Sequence, residues 1–339
     1  MALLELKDVT RHYEVKTGLI DRVFRGKPIR KIKAVESLNM VLNENEVVGI
    51  AGESGCGKST TCMIIAGLLQ PSSGEVLYQG KRVDQFNTQD QRWYRHQVQM
   101  IFQDPYESLN PRFRIFDTVA EGPRALRLWP ESEIASKVES MLGSVGLEPG
   151  KYGDRYPHEL SGGERQRVVI ASALVMEPRM VIADEPLSML DVSIRAGILE
   201  LLKDLAKKRH FSCLYVSHDL SILGHIADRL MIMYLGQAVE IGPTTEVIQK
   251  PQHPYTKALI SAVPVPDPRI KRGIPKISGD ITRPIDPPPG CRFTPRCPYA
   301  NHTCSENFLK LDSVQKTNHL AACHRLDVVS HESEMTSMV

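Results

Sequence analysis

The stretch Gly52-Glu53-Ser54-Gly55-Cys56-Gly57-Lys58-Ser59-Thr60 constrains this chain more than any other. It reads G-x-x-x-x-G-K-S-T, a pattern that makes a phosphate-binding loop when a strand precedes it and a helix follows. Both are expected here. Val47-Val48-Gly49-Ile50-Ala51 is a short apolar run suited to a buried parallel strand, and apolar residues recur at helical spacing between residues 59 and 69. Gly52, Gly55 and Gly57 open backbone conformations that are costly for other residues, so amide N–H groups can turn inward. Together with the positive end of the following helix they form an anion cradle. Lys58 can reach the outer phosphates of a nucleotide, and the Ser59 hydroxyl stands where Mg²⁺ would sit.

The rest of the composition sets bounds. A chain of 339 residues, 42% hydrophobic and 24% charged, is an ordinary globular sequence long enough for more than one structural unit. Its net charge of +2 gives no bulk attraction to nucleic acid. Glu5 and Asp8 come too early for a secretory signal. The longest nearly apolar run, residues 168–176, is far short of the ~18–20 residues of a membrane helix. A cytoplasmic protein, or one held at a membrane by a partner, is expected. Of seven cysteines, Cys291, Cys297, Cys304 and Cys323 crowd the C-terminal end, an asymmetry that favours metal over disulfides in a cytosolic chain.

Taken in order, strands are expected over residues 3–10 and 34–42. Between them the stretch 16–33 carries seven Lys/Arg against one acid, Asp21. It reads as a solvated surface hairpin, or as a contact for anionic headgroups. Further strands are expected over 74–80 and from Val98 to an end at Gln103. From 110 to about 177 the pattern is helical. Within it Ser161-Gly162-Gly163 opens a helix whose free amides favour an anion, with Ser161 as N-cap. An apolar strand from Met180 ends in Asp184 and Glu185, the first suited to support Mg²⁺ and the second to polarise an attacking water. A strand from Ser212 leads to His218. A hairpin follows around Gly236, then a short helix from residue 244 to 250. The prolines from 251 onward read as a semi-rigid linker, and 330–339 as a disordered tail.

The order of these segments resembles the ATP-binding subunit of an ABC transporter, over roughly residues 3–263. The phosphate loop, Gln103 after a strand, Leu160-Ser161-Gly162-Gly163-Glu164-Arg165-Gln166, Asp184-Glu185, Ser188-Met189-Leu190-Asp191 and His218 follow one another as in that family. A narrower resemblance covers nearly the whole chain. Phe102-Gln-Asp-Pro-Tyr-Glu-Ser-Leu-Asn-Pro111, His253-Pro-Tyr-Thr-Lys-Ala-Leu259 and Pro287-Pro-Pro-Gly-Cys-Arg-Phe293 are similar to the dipeptide/oligopeptide permease ATPases, a group that includes importers of nickel chelates and oligosaccharides.

The resemblance implies an α/β fold. Residues 1–263 would be a P-loop, RecA-like nucleotide-binding domain with an antiparallel β subdomain and an inserted α-helical subdomain at about 110–177. A loop-rich extension containing the cysteines would occupy 264–330, and a tail 331–339. It implies ATP hydrolysis coupled to import of di- or oligopeptides. Nickel chelates or oligosaccharides are alternative cargoes, and a soluble ATPase acting on RNA or ribosomes is the competing class. The implied partners are a second ATPase subunit, making a heterodimer or a homodimer, two transmembrane permease subunits and, indirectly, an extracytoplasmic solute-binding protein. No nucleic acid is implied, and the chain would sit at the cytoplasmic face of the membrane.

Residue by residue, Tyr13 resembles the aromatic that stacks on adenine. Gly52, Glu53, Ser54, Gly55, Cys56, Gly57, Lys58, Ser59 and Thr60 would hold ATP. Ser59, Gln103 and Asp184 would hold Mg²⁺, with Gln103 also sensing the attacking water and coupling to the membrane subunits. Ser161, Gly162, Gly163 and Gln166 fall in the signature that reaches the partner's γ-phosphate. Glu185 resembles the general base, Asp191 the link between the two sites, and His218 the γ-phosphate contact. Met189 departs from the family's usual alanine and Ser172 from a common arginine, and neither removes a catalytic group. The cysteines are spaced C-x5-C-x6-C-x18-C, unlike the paired C-x2-C of a structural zinc site. Four thiolates suit a [4Fe–4S] cluster or zinc, and some members of the group are similar in carrying such a cluster. Four unmetallated cysteines are the alternative.

Overall fold

The computed structural model describes residues 1–15, 30–263, 285–287, 289–306, 309–314, 318–326 and 328–329. Most of the basic stretch (16–29), the proline-rich segment 264–284 and the tail 331–339 lie outside the described residues. The chain divides into two compact units: Met1–Leu3, Leu42–Val47 and Arg82–Val216 in one, Leu4–Val41, Val48–Lys81 and Ser217–Val339 in the other.

The first unit is built on three parallel strands, Val98–Ile101, Met180–Asp184 and Ser212–Val216, with Val98 and Ser212 both in register with Met180. The latter two strands are buried along their whole length, as continuous apolar runs covered on both faces must be. The helices Ile115–Leu126, Glu131–Ser144 and Gly162–Leu174 pack on one another within the stretch read as helical. Ile134, Val138, Met141 and Leu142 make the apolar stripe of the second, at the helical period.

Three local features differ from the sequence reading, each for a capping reason. The strand from Val98 stops at Ile101, two residues before Gln103. Asp104 accepts the Tyr106 N–H at 2.7 Å and starts the short helix Pro105–Ser108, which takes the chain out of the sheet. The polar segment Thr88–Gln97, where no helix was expected, is helical because Asn87 and Asp90 form a capping box. In the second unit the supposed linker holds a helix, Pro254–Ser261. Pro254 occupies its first turn, and His253 Nδ1 accepts the Tyr255 N–H at 3.1 Å.

The second unit carries the phosphate loop. Residues 48–51 of the strand Val47–Ala51 pair parallel with Arg229–Tyr234, which turns at Gly236 into the antiparallel strand Gln237–Pro243. The strand Ala2–Glu14 pairs antiparallel with Ser73–Tyr78. The strand Lys31–Asn43 begins at Lys31 rather than at 34, because Asp286 accepts the Lys31 N–H at 2.9 Å from far along the chain. A two-residue strand, Leu320–Ala321, adds to Glu240–Ile241. Among the described residues no helix is long and apolar enough to cross a membrane.

One buried carboxylate ties the late segments of this unit together. Glu240, fully buried, accepts the N–H groups of Gln252 and His253, each at 2.8 Å, and pairs with His319 Nε2 at 2.6 Å. Replacing it strands those donors away from water. Glu240→Ala should therefore lower unfolding free energy in urea by about 3 kcal/mol. A loss below about 1 kcal/mol would show that the network is not structural.

Candidate nucleotide site

The phosphate loop has the backbone its glycines permit. Gly52, Gly55 and Gly57 have φ of +155°, +78° and +105°, a region L side chains rarely adopt. At two of them space is also closed: a Cβ at Gly57 would lie 2.2 Å from Ala34 O, and one at Gly52 2.2 Å from Met233 O. Gly57 caps the helix Lys58–Ile65. The Gly236 N–H donates to Cys56 O at 2.7 Å, fastening the loop to the hairpin turn. The Glu53 N–H donates to the Tyr255 hydroxyl at 2.9 Å. Lys58 is buried, with Nζ donating to Gly52 O at 2.8 Å and Glu53 O at 3.1 Å. Burial pushes the Cys56 thiol up, against the lowering effect of Lys58. Ser54, Gly55 and Ser59 are exposed and Thr60 is half-buried. In the same unit Tyr13 is half-buried near the end of its strand with the Arg11 guanidinium 4.8 Å from its ring centre. His218 is exposed between Ser217 and Asp219, the cap of the helix Leu220–Ile226.

The first unit carries the acidic and signature groups. Asp184 is buried at the end of its strand, 5% exposed. Glu185, next to it, has a left-handed φ of +46°, which costs a non-glycine residue on the order of 1–3 kcal/mol. Its N–H donates to Val216 O at 3.0 Å, and its carbonyl accepts from Ser188 N and Oγ. These bonds hold the turn that directs the chain away from the strand. Gln103 and Asp191 are exposed, and the Asp191 side chain caps nothing on the helix Val192–Arg209.

Ser161 is the N-cap of the helix Gly162–Leu174, in a capping box with Glu164. The Ser161 N–H donates to Glu164 Oε2 at 2.8 Å and the Tyr152 hydroxyl to Oε1 at 2.7 Å. The Ser161 backbone bond, then Tyr152, hold the Glu164 carboxyl below the usual range. Gly163 is needed because a Cβ there would lie 2.8 Å from Ile194 Cγ2. Gln166 is fully buried, and neither of its amide atoms finds a hydrogen-bond partner among the described residues. The Asp184 carboxylate and Gln103 amide oxygens in this unit, and the Ser59 hydroxyl in the other, are each the kind of hard donor that Mg²⁺ prefers.

The C-terminal cysteines depart from expectation. All four are free thiols, and among the described residues no three His, Cys, Asp or Glu form a group able to hold a metal ion. Cys304 Sγ is engaged with Asn301 Oδ1 at 3.1 Å, and Cys323 Sγ accepts the Arg325 N–H at 3.4 Å. Burial above all pushes Cys297 up to about 11 and Cys323 up to about 12. Two of the four sulfurs thus have local partners, and the four-thiol site read from the spacing is not assembled among the described residues.

Comparison with known proteins settles the family. Residues 35–188 match the ABC transporter family, and 239–304 match the oligopeptide/dipeptide transporter C-terminal region. The oligopeptide transport ATP-binding protein OppF of Salmonella typhimurium is 42% identical over 96% of both chains. The dipeptide transport ATP-binding protein DppF of Escherichia coli is 40% identical over 96% of this chain and 95% of its own. The chain belongs to the ABC transporter ATP-binding subunits of the oligopeptide/dipeptide group. Its fold is the ABC ATPase fold. CbiO1 from Clostridium perfringens, part of the ABC transporter complex CbiONQ, superposes with a TM-score of 0.61 at 29% identity, over 74% of this chain and 91% of its own. The ABC transporter cassette MJ0796, solved as a dimer, gives 0.61 at 27%, over 71% and 98%.

The phosphate-loop pattern gives no hint that the loop of this ABC subunit is also held by Tyr255, which accepts the Glu53 N–H, and by Arg296, whose Nη1 donates to both Glu53 carboxylate oxygens. Gly57→Ala should abolish MgATP binding, because the new Cβ meets backbone on one side and a strained φ on the other. Retained binding by the folded variant would contradict this account of the loop.

Proposed function

We propose that this ABC ATPase energises import of di- or oligopeptides through a membrane permease. The observation that carries the reading is similarity along nearly the whole chain, including the C-terminal region, to oligopeptide and dipeptide transport ATP-binding proteins. In this reading residues 1–263 are the ATPase domain and the later residues an extension of it.

Tyr13 stacks on adenine, while the loop amides and Lys58 bind the phosphates. Ser59, Gln103 and Asp184 would hold Mg²⁺, which supplies positive charge against the phosphate oxygens. Glu185 accepts a proton from water as the water oxygen attacks the γ-phosphorus and the bond to the β–γ bridging oxygen breaks, releasing ADP. His218 contacts the γ-phosphate. A second ATPase subunit, a related chain or a copy of this one, supplies the matching signature, and Ser161, Gly162, Gly163 and Gln166 serve that partner's nucleotide, with Asp191 between the sites. The exposure of Ser161 and Asp191 supports such a role. Gln103 carries the nucleotide state to two transmembrane permease subunits, which hold the chain at the cytoplasmic face, and a solute-binding protein on the far side selects cargo. We also infer that the four C-terminal thiols close on a metal, a [4Fe–4S] cluster first and zinc as the alternative. What supports it is the crowding of four cysteines into one short C-terminal segment.

Glu185→Gln should bind ATP as tightly as the parent chain and lose on the order of 10²–10⁴ in turnover; unchanged hydrolysis would remove Glu185 from the role. Affinity purification from membranes should bring down two polytopic membrane proteins, and RNA-stimulated ATPase activity without them would overturn the transport reading. Protein purified without oxygen should be brown and bleach in Cys297→Ser. Stoichiometric zinc in colourless protein would select the alternative, and metal-free protein would end the proposal.

A further inference from the structure

Glu53, the second residue of the phosphate loop, places a carboxylate beside a site built to attract anions. It is answered from far along the chain. Arg296 Nη1 donates to both oxygens of Glu53, at 3.1 and 2.9 Å. The Arg296 side chain is 9% exposed and that of Glu53 21%, so solvent screens the pair only in part. The guanidinium is itself seated: it lies 5.8 Å from the ring centres of Tyr234 and Phe293, and Nη1 also donates to the Tyr234 hydroxyl at 3.4 Å.

The seat is built from the same segment. Phe293, 1% exposed, packs edge-on against Tyr234 with ring centres 5.3 Å apart, and lies 5.5 Å from Tyr255, whose hydroxyl accepts the Glu53 N–H. Arg292, buried, donates to Leu235 O in the hairpin turn whose next residue, Gly236, holds the loop through Cys56 O. Residues 292–296 therefore grip the phosphate loop through its side chain, and through the turn that carries it.

We propose that Arg296 is a positioning residue of the nucleotide site: it neutralises Glu53 and turns that carboxylate away from the phosphates, so the C-terminal extension sets ATP affinity. The inference rests on the ATP reading of the loop. Without Arg296 the loop keeps a bare negative charge beside the place where the nucleotide's phosphates must bind.

Calorimetric titration of the full chain with MgATP tests it. Arg296→Ala should weaken binding about tenfold. Arg296→Ala/Glu53→Gln should regain most of that loss, because removing the carboxylate removes the need for the cation; a merely structural arginine would show no such rescue. Arg296→Lys should fall between parent and Arg296→Ala. If Arg296→Ala does not fold, Arg296→Gln, which keeps the packing and loses the charge, is read in the same way against its own Glu53→Gln double. Unchanged affinity in the charge-removed variant, or a double variant as weak as the single, overturns this inference while leaving the ATP site intact. A parent chain that binds no MgATP overturns both.

Discussion

A phosphate loop works only while several backbone N–H groups face one point, and a free backbone does not hold that shape. Here the shape is imposed by close backbone contact. Gly52 lies against Met233 O and Gly57 against Ala34 O, at distances that exclude any side chain, and Gly236 N–H locks Cys56 O. Those contacts come from the strands Lys31–Asn43 and Arg229–Tyr234, from the hairpin turn at 235–236 and, through Tyr255 and Arg296, from residues more than two hundred positions later. The anion cradle is thus a property of the whole second unit, and the buried Glu240 network that fastens residues 252, 253 and 319 contributes to it indirectly.

The first unit follows a related logic with different means. Glu185 is carried on a strained left-handed turn directly after a fully buried strand. Strain of this kind persists only where surrounding bonds over-determine it, as the links to Val216 and Ser188 do. The capping box at Ser161 leaves the helix start exposed while its acid, Glu164, is occupied by Ser161 and Tyr152. An anion approaching that helix start would therefore meet a carboxylate already engaged elsewhere.

Legibility in the sequence follows how local each cause is. The glycine pattern, the apolar strands at 180–184 and 212–216 and the serine cap at 161 act over a few residues, and they stand where the sequence places them. The end of the strand at Ile101, the helix after Asn87 and the helix after His253 are local too, but their signals are caps that a reading by hydrophobic period overlooks. Long-range causes left no trace: nothing near Lys31 announces Asp286, and nothing near Glu53 announces Arg296. The four cysteines are the reverse case: their crowding in the sequence suggests a ligand set that is not assembled among the described residues, where Cys304 and Cys323 have local partners.

The strained, clamped loop is an ATP site built around Lys58. Equilibrium dialysis of the full chain against labelled ATP with Mg²⁺ tests it most directly. One ATP should bind per chain, and none to Lys58→Ala. Absence of binding by the parent chain, or binding that survives loss of Lys58, would contradict it.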